Sequence, residues 1–198
     1  QQISNQMVMG INHEVFGDDS TQTISLKNFM AGFISGVTGK KGLMTLEEAG
    51  ITAQTKMQQI KAKTMETKYG DNKKKGEDFL VANKKKEGVK TLPSGVQYKV
   101  IKEGTGAIPS DTSMVSCHYE GRTIDGKVFD SSYKRNQPLK LRCNQTIKGW
   151  TDAMVHMPVG STWEVYIPQE LAYGEREQGD IKPFSVLIFK IELLGIEK

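Results

Sequence analysis

Apolar residues keep one rhythm along this chain up to about residue 90 and another beyond it. Ile24, Leu26, Phe29, Met30, Phe33 and Ile34 recur at steps of three and four, which predicts one face of a helix ended by Gly36 and Gly39. A second helix opens at Thr45-Leu46-Glu47-Glu48, where Thr45 can accept from a free amide and Glu48 can reach back, a capping box. Leu46, Ala49, Ala53, Met57 and Ile60 mark its apolar stripe, and no proline occurs over residues 25–87, so the helix is expected to continue to Glu87 with Gly88 as its terminator. Such a rod of about 42 residues would run ~63 Å. Gly70 and Gly76 are its weak points, each costing about 1 kcal/mol against alanine in a helix interior, and a break near Gly70-Asp71-Asn72 is the alternative. A narrow stripe on a lone helix needs a partner, either the first helix or a second chain. Residues 1–22 are polar, with Gly10, Gly17 and an Asp18-Asp19-Ser20 turn, and read as a short arm against the helices.

From Leu92 onward the runs become short and are punctuated by Gly, Pro and Asp-Gly. Residues 96–101 alternate, 114–119 form a strand candidate, and Asp125-Gly126 signals a tight turn before Val128-Phe129. Residues 163–167 and 186–194 are β-prone apolar runs, and one short helix, about 151–156, follows Gly149-Trp150. The expectation is an α+β chain: a twisted antiparallel β-sheet wrapped around a short α-helix in residues 91–198, preceded by an all-α arm with a long connecting helix in residues 1–90.

Composition narrows the function classes. Apolar residues make up 37% of the 198 and charged ones 25%, and no run approaches the ~18 apolar residues of a membrane span. The net charge of +4 comes largely from lysines such as Lys73-Lys74-Lys75 and Lys84-Lys85-Lys86. Arginine is absent from the first 120 residues and no aromatics interleave with the lysines, so these runs read as a solvated helix face and not as a nucleic-acid surface. Cys117 and Cys143 have neither CxxC spacing nor clustered histidines, which argues against zinc; a disulfide and two buried thiols both remain open. The chain opens at Gln1 without a basic, apolar leader, compatible with an export signal already removed, which leaves the compartment undecided.

Three blocks then carry a resemblance. The first is His118-Tyr119-Glu120-Gly121, followed by Asp125-Gly126-Lys127-Val128-Phe129-Asp130-Ser131-Ser132, Arg135 and Pro138. The second is Ile147-Lys148-Gly149-Trp150 with Met157-Pro158-Val159-Gly160, and the third Leu171-Ala172-Tyr173-Gly174 with Phe189-Lys190-Ile191-Glu192-Leu193-Leu194. In this order, across residues 92–198, they resemble the FKBP-type peptidyl-prolyl cis–trans isomerases. Phe79-Leu80-Val81-Ala82-Asn83-Lys84, Gly88-Val89 and Ser94-Gly95-Val96-Gln97-Tyr98 resemble the segment that precedes the isomerase domain in the macrophage infectivity potentiator type of the bacterial cell envelope.

The resemblance implies a pocket lined by Tyr119, Phe129, Asp130, Leu139, Thr146, Ile147, Trp150, Tyr173, Ile181 and Phe189. Trp150 would be its floor and Phe129, Phe189 and Tyr119 its walls. Tyr173 and the backbone amide of Ile147 would donate to the substrate carbonyl, and Arg135 and Tyr119 would hold Asp130 at the rim. It implies isomerisation of Xaa–Pro bonds in loose polypeptides without metal or cofactor, susceptibility to macrolides of the tacrolimus and rapamycin type, a homodimer through the N-terminal helices, and a periplasmic or outer-envelope location, the cytoplasm remaining open. A holdase-type chaperone with minor isomerase activity is the alternative. Four features depart from the pattern: Leu139 stands where an aromatic is common and Thr146 where an aliphatic is usual, the connection from Leu141 to Ile147 is short, and the last loop reads Ile181-Lys182-Pro183. They bear on substrate preference and drug affinity.

Taken singly, Trp150, Phe129 and Phe189 would be ordinary core residues, and Asp130-Ser131-Ser132 a turn or cap. His118 reads as structural. The chemistry nevertheless suits the set. Rotating an Xaa–Pro bond has a barrier of roughly 20 kcal/mol because amide resonance is lost, yet no bond to a heavy atom breaks. A dry aromatic pocket disfavours the dipolar planar amide relative to the twisted one, with no nucleophile required.

Overall fold

The structure, a computed structural model, describes residues 2–16, 21–39 and 45–197. It divides into two compact units, Gln1–Lys68 and Tyr69–Lys198.

The first unit is helical. Residues 2–16, read as part of a short polar arm, form a helix, α1 (Gln2–Phe16), which passes through Gly10. Its apolar positions Val8, Val15 and Phe16 are buried, a spacing of seven and one that marks a helix face. Gly17 and the Asp18-Asp19-Ser20 sequence lie outside the described residues. Asn12 ties α1 to the segment ahead of the next helix: its Nδ2 donates to Thr23 Oγ1 at 2.7 Å, and Ile24 N donates to its Oδ1 at 2.9 Å. Helix α2 (Leu26–Thr38) is capped by Ser25, whose side chain accepts from Asn28 N. It ends at Gly39 and not at Gly36, because Gly39 takes the left-handed φ of 63° that terminates helices at least cost to glycine.

The capping box opens helix α3 (Leu46–Asn83) as expected: Glu48 N donates to Thr45 Oγ1 at 3.2 Å, and Thr45 N donates to Glu48 Oε2 at 2.8 Å. The backbone amide of Thr45, followed by its hydroxyl, holds the Glu48 carboxyl below its ordinary range. The helix runs unbroken through Gly70 and Gly76 for 38 residues. It stops at Asn83, earlier than Glu87, and residues 84–88 unwind through turns before Gly88, at φ 79°.

In the second unit, seven strands form one antiparallel sheet. They are β1 (Val89–Thr91), β2 (Gln97–Lys102), β3 (Met114–Thr123), β4 (Val128–Ser131), β5 (Leu139–Arg142), β6 (Thr162–Ile167) and β7 (Leu187–Ile196). Their order is β1-β2-β6-β7-β3-β4, with β5 also on β3. β4 and β5 share one edge of the ten-residue β3, β5 pairing with Met114 to Cys117 and β4 with Glu120 to Arg122. Strands β1 and β5 were not expected; at three and four residues they show no alternation long enough to read.

The short helix α4 (Lys148–Met154) starts three residues before the expected 151, so Trp150 lies on the helix and not ahead of it. Trp150, Ala153 and Met154 turn from α4 onto Tyr119, Val165, Ile167, Leu187, Phe189 and Ile191 of the sheet in one buried cluster. Gly149 permits this approach, since a Cβ there would collide with the Ile167 side chain. Cys117 and Cys143 are buried free thiols in the same cluster; burial, with Cys143 nearby, pushes the Cys117 thiol up to about 12.

The last turns of α3 belong to this unit and dock on the sheet. Gln97 Nε2 donates to Leu80 O at 2.9 Å, Asn83 Nδ2 donates to Gln97 Oε1 at 3.0 Å, and the Phe79 and Tyr166 rings lie 6.0 Å apart. The change in composition near residue 90 thus falls after helix α3 has ended at Asn83, whereas packing binds the chain from Tyr69 onward into one body.

Candidate active site

Between α4 and the sheet lies an open hollow of about 600 Å³. It is lined by Tyr119, Phe129, Asp130, Leu139, Thr146, Ile147, Trp150, Tyr173, Ile181 and Phe189, together with Gln178, Gly179 and Asp180. The indole of Trp150 stands nearly perpendicular to its neighbours: Tyr119 at 5.1 Å and 83°, Phe189 at 5.2 Å and 88°. Phe129 meets Phe189 at 5.6 Å and 82°. Edge-to-face contacts of this kind are favourable and directional, so the four rings fix one another.

The sheet brings them together through Gly121. In register, Gly121 faces Asp130 on β4 and Phe189 on β7. A Cβ there would lie 2.6 Å from both Phe129 and Phe189, so only a bare backbone lets the two rings close over β3. Ile147 is the N-cap of α4, and its N–H therefore lies ahead of the first hydrogen-bonded turn. The Tyr173 hydroxyl donates to no protein acceptor among the described residues.

One polar cluster marks the rim. The Tyr119 hydroxyl donates to Asp130 Oδ2 and accepts from Arg135 Nη2 at 2.9 Å, while Arg135 Nη1 pairs with Asp130 Oδ1. Partial burial pushes the Asp130 carboxyl up, but hydrogen bonds from Tyr119 and Arg135 and the guanidinium charge outweigh it, leaving the group ionised below the ordinary carboxylate range. Burial, then the adjacent carboxylate, pushes the Tyr119 hydroxyl up, so it stays protonated and remains a donor. His118 sits behind this cluster, stacked on Tyr133 at 4.8 Å and bonded through Nδ1 to Ser132 Oγ at 2.9 Å.

Ten of the eleven side chains singled out in the sequence share this hollow. Arg135 stands outside it and reaches in through Asp130 and Tyr119; it lines a smaller neighbouring hollow with Gln137, Pro138, Leu139 and Lys140. Sequence reasoning missed Gln178, Gly179 and Asp180. They form a polar turn closed by reciprocal Gln178–Ile181 backbone bonds of 3.0 and 2.9 Å, with no aromatic or charge pattern to distinguish it. Gly121 stood in the recognised motif, but its role depends on two rings distant in sequence.

An antiparallel sheet closed by one short helix, with an aromatic cup between them and the braced carboxylate of Asp130 at its lip, is the FKBP-like architecture. The profile of the FKBP-type peptidyl-prolyl cis–trans isomerase matches residues 105–194, and that of the domain amino-terminal to this isomerase matches residues 2–100. The chain is 44% identical over 187 residues to the FKBP-type peptidyl-prolyl cis–trans isomerase FkpA of Aeromonas hydrophila, covering 89% of this chain and 68% of that protein. To the outer membrane protein MIP of Legionella longbeachae it is 43% identical over 171 residues, 84% of this chain and 73% of the other. The crystal structure of FkpA from Escherichia coli superposes with a TM-score of 0.66 at 31% identity, over 99% of this chain and 92% of that one. The chain belongs to the FKBP-type peptidyl-prolyl cis–trans isomerases of the bacterial FkpA and MIP kind, enzymes that turn the peptide bond preceding proline and so assist protein folding.

Proposed function

We propose that the hollow between α4 and the sheet is where this isomerisation takes place. The observation that carries the reading is the ring cluster: Trp150 beneath, with Tyr119 and Phe189 edge-on around it and Phe129 against Phe189. The prolyl ring sits on the indole, where Leu139, Thr146 and Ile181 complete an apolar surround. The Ile147 N–H and the Tyr173 hydroxyl hold the carbonyl that precedes proline. Asp130, braced by Tyr119 and Arg135, keeps its charge at the rim and presents a fixed polar edge to the chain entering the cup.

The physics is a difference between two states of the substrate. The planar amide is the more dipolar and is favoured by water, so transfer into an apolar cup penalises it more than the half-rotated form. Two fixed donors hold the oxygen while the ring turns, and the uncatalysed barrier of roughly 20 kcal/mol falls without covalent chemistry. Exchange spectroscopy on an Xaa-Pro peptide tests the site: Asp130→Ala combined with Trp150→Ala should abolish catalysed exchange. Wild-type rates in that double variant would remove the assignment.

Around this site we assign residues 91–198 to the isomerase domain and residues 1–90 to a dimerisation arm and long linker helix, whose last turns rest on the isomerase domain. Exposed apolar side chains on α2, among them Phe33, Ile34 and Val37, support a homodimer through the N-terminal helices. Two sites carried by one dimer would capture loose, proline-containing chains multivalently. Macrolides of the tacrolimus and rapamycin type fit the same aromatic cup. A periplasmic or outer-envelope location agrees with the relatives, one of which is an outer membrane protein. Met7 and Met9 stand exposed on α1, which favours a second role in holding apolar segments of clients; suppression of aggregation of a proline-independent client by the Asp130/Trp150 double variant would reveal it.

A further inference from the structure

Helix α3 touches the segment that follows one wall of the hollow. Residues 178–181 line the cup, and the chain then turns back through Lys182, Pro183, Phe184 and Ser185 to enter β7. Phe184 is the unusual point in that return. It is buried, it is not glycine, and its φ is 60°, in the left-handed region that bulky side chains rarely adopt. Such a backbone persists only where its surroundings hold it.

Two sets of contacts do so. On the side of the hollow, Phe184 N donates to Gly174 O at 2.8 Å, which ties the return to the segment that follows Tyr173. On the far side stands Asn72 of α3. Its amide nitrogen donates to Pro183 O at 2.7 Å and to Ser185 Oγ at 3.1 Å, so one side chain grips the residues before and after Phe184. The neighbouring Lys73 places its ammonium 5.6 Å from the centre of the Phe184 ring. One turn on, Gly76 presents bare backbone to Val186; a Cβ there would come within 2.8 Å of Val186 Cγ2. The glycine that weakens the helix locally is what lets Asn72 reach the loop.

We infer that Asn72 is a positioning residue of the isomerase: by clamping Pro183 and Ser185 it keeps Phe184 left-handed and so sets the Gln178–Ile181 turn against the prolyl site. The inference rests on the assignment of the hollow as that site. Asn72 touches no substrate. Its effect passes through the loop, and substrate seating is what it governs.

The test uses the full chain and two independent variants. Asn72→Asp keeps the shape of the side chain but cannot donate to the Pro183 carbonyl. Gly76→Ala leaves Asn72 intact and wedges α3 away from Val186. Each should raise KM for an Xaa-Pro peptide by roughly three- to tenfold while kcat changes by less than about twofold. Native-state hydrogen exchange should accelerate at the Gln178, Ile181 and Phe184 amides, and remain slow at the Ser132 amide, which bonds to Tyr119 O in the opposite wall. Unchanged KM in both variants would overturn the inference. So would loss of protection at Ser132 equal to that at Phe184, since the effect would then be general destabilisation. The two claims separate through Trp150→Ala: full activity there refutes the site itself, whereas an inactive Trp150→Ala beside unchanged KM in both Asn72→Asp and Gly76→Ala refutes only the clamp.

Discussion

Trp150 meets Phe189 edge-on, their ring centres 5.2 Å apart at an angle of 88°. One ring comes from the short helix α4, the other from the central strand β7, so the floor and one wall of the cup form a single packed contact. Replacing the indole therefore has two separable effects. Trp150→Leu keeps apolar bulk under the site and should preserve the fold, while removing the flat surface that receives the prolyl ring. It should lower kcat/KM by about ten- to a hundredfold, which corresponds to ~1.4–2.8 kcal/mol of transition-state stabilisation. Trp150→Ala should additionally cost about 3–5 kcal/mol of stability, because a cavity is left in the core. Peptide exchange kinetics paired with urea unfolding distinguishes the two; equal activity loss and equal stability loss in both variants would contradict this division.

Gly121→Ala probes the opposite fault, too much matter. The added methyl would meet Phe129 and Phe189 at 2.6 Å each, Phe189 paired opposite Gly121 on β7 and Phe129 standing between the paired Val128 and Asp130 of β4. Overpacking of this kind costs roughly 1–3 kcal/mol. The rings can yield only by opening the cup, so activity should fall alongside the urea midpoint. A variant with wild-type midpoint and rate would show that the rings relax freely.

Trp150 and Gly76 mark what can and cannot be read from a chain of amino acids. Trp150 was visible: it follows Ile147-Lys148-Gly149 in a motif whose order is distinctive, and the β-prone runs around it announced a sheet. Gly76 was visible only as a flaw, because its justification, Val186, lies far along the chain. The helix runs on through Gly70 and Gly76, as the continuous reading expects and the alternative of a break does not, since packing of its last turns on the sheet outweighs a local propensity cost of about 1 kcal/mol per glycine. Helix α1 could not be delimited within the polar arm because its buried positions, Val8, Val15 and Phe16, are few and set among polar residues. The turn 178–180 was missed because nothing in Gln-Gly-Asp signals a pocket wall; only the Gln178–Ile181 pairing places it there.

The rim cluster predicts a pH response with a definite sign. Asp130 is held below the ordinary aspartate value of about 3.9 by Tyr119 and Arg135 despite partial burial. A carboxylate with a depressed folded-state pKa contributes stability above its unfolded pKa, and loses that contribution as pH falls through the folded value. Activity should therefore be insensitive to Asp130 between about pH 5 and 8, and should decline only in acid below the usual carboxylate range. The Asp130 side chain is 41% exposed, so solvent screening keeps the pair's share of stability small. Asp130→Asn should flatten the acid limb of the pH–rate profile. An acid limb unchanged in that variant would assign it to another group.

The dimer is tested on the face that the chain leaves uncovered. Leu26, Phe33, Ile34 and Val37 of α2 are all exposed, at spacings of seven, one and three that gather them along one side of the helix, and no described residue of α2 is buried. Covering a side chain such as Phe33 or Ile34 contributes about 1.5–3 kcal/mol, so a few of them suffice to hold two chains together at micromolar concentration. Light scattering on the full chain should therefore report twice its 22.0 kDa. Phe33→Asp with Ile34→Asp places two charges on that stripe and should give the single-chain mass. Exchange of a short Xaa-Pro peptide should stay within about twofold of wild type, because every residue assigned to the cup lies in the second unit. Catalysed refolding of a long client should fall further, since capture by two linked sites is lost. A wild-type chain that scatters as a monomer at every concentration would leave the α2 stripe without this role, and the client and peptide assays would then respond to the double variant alike.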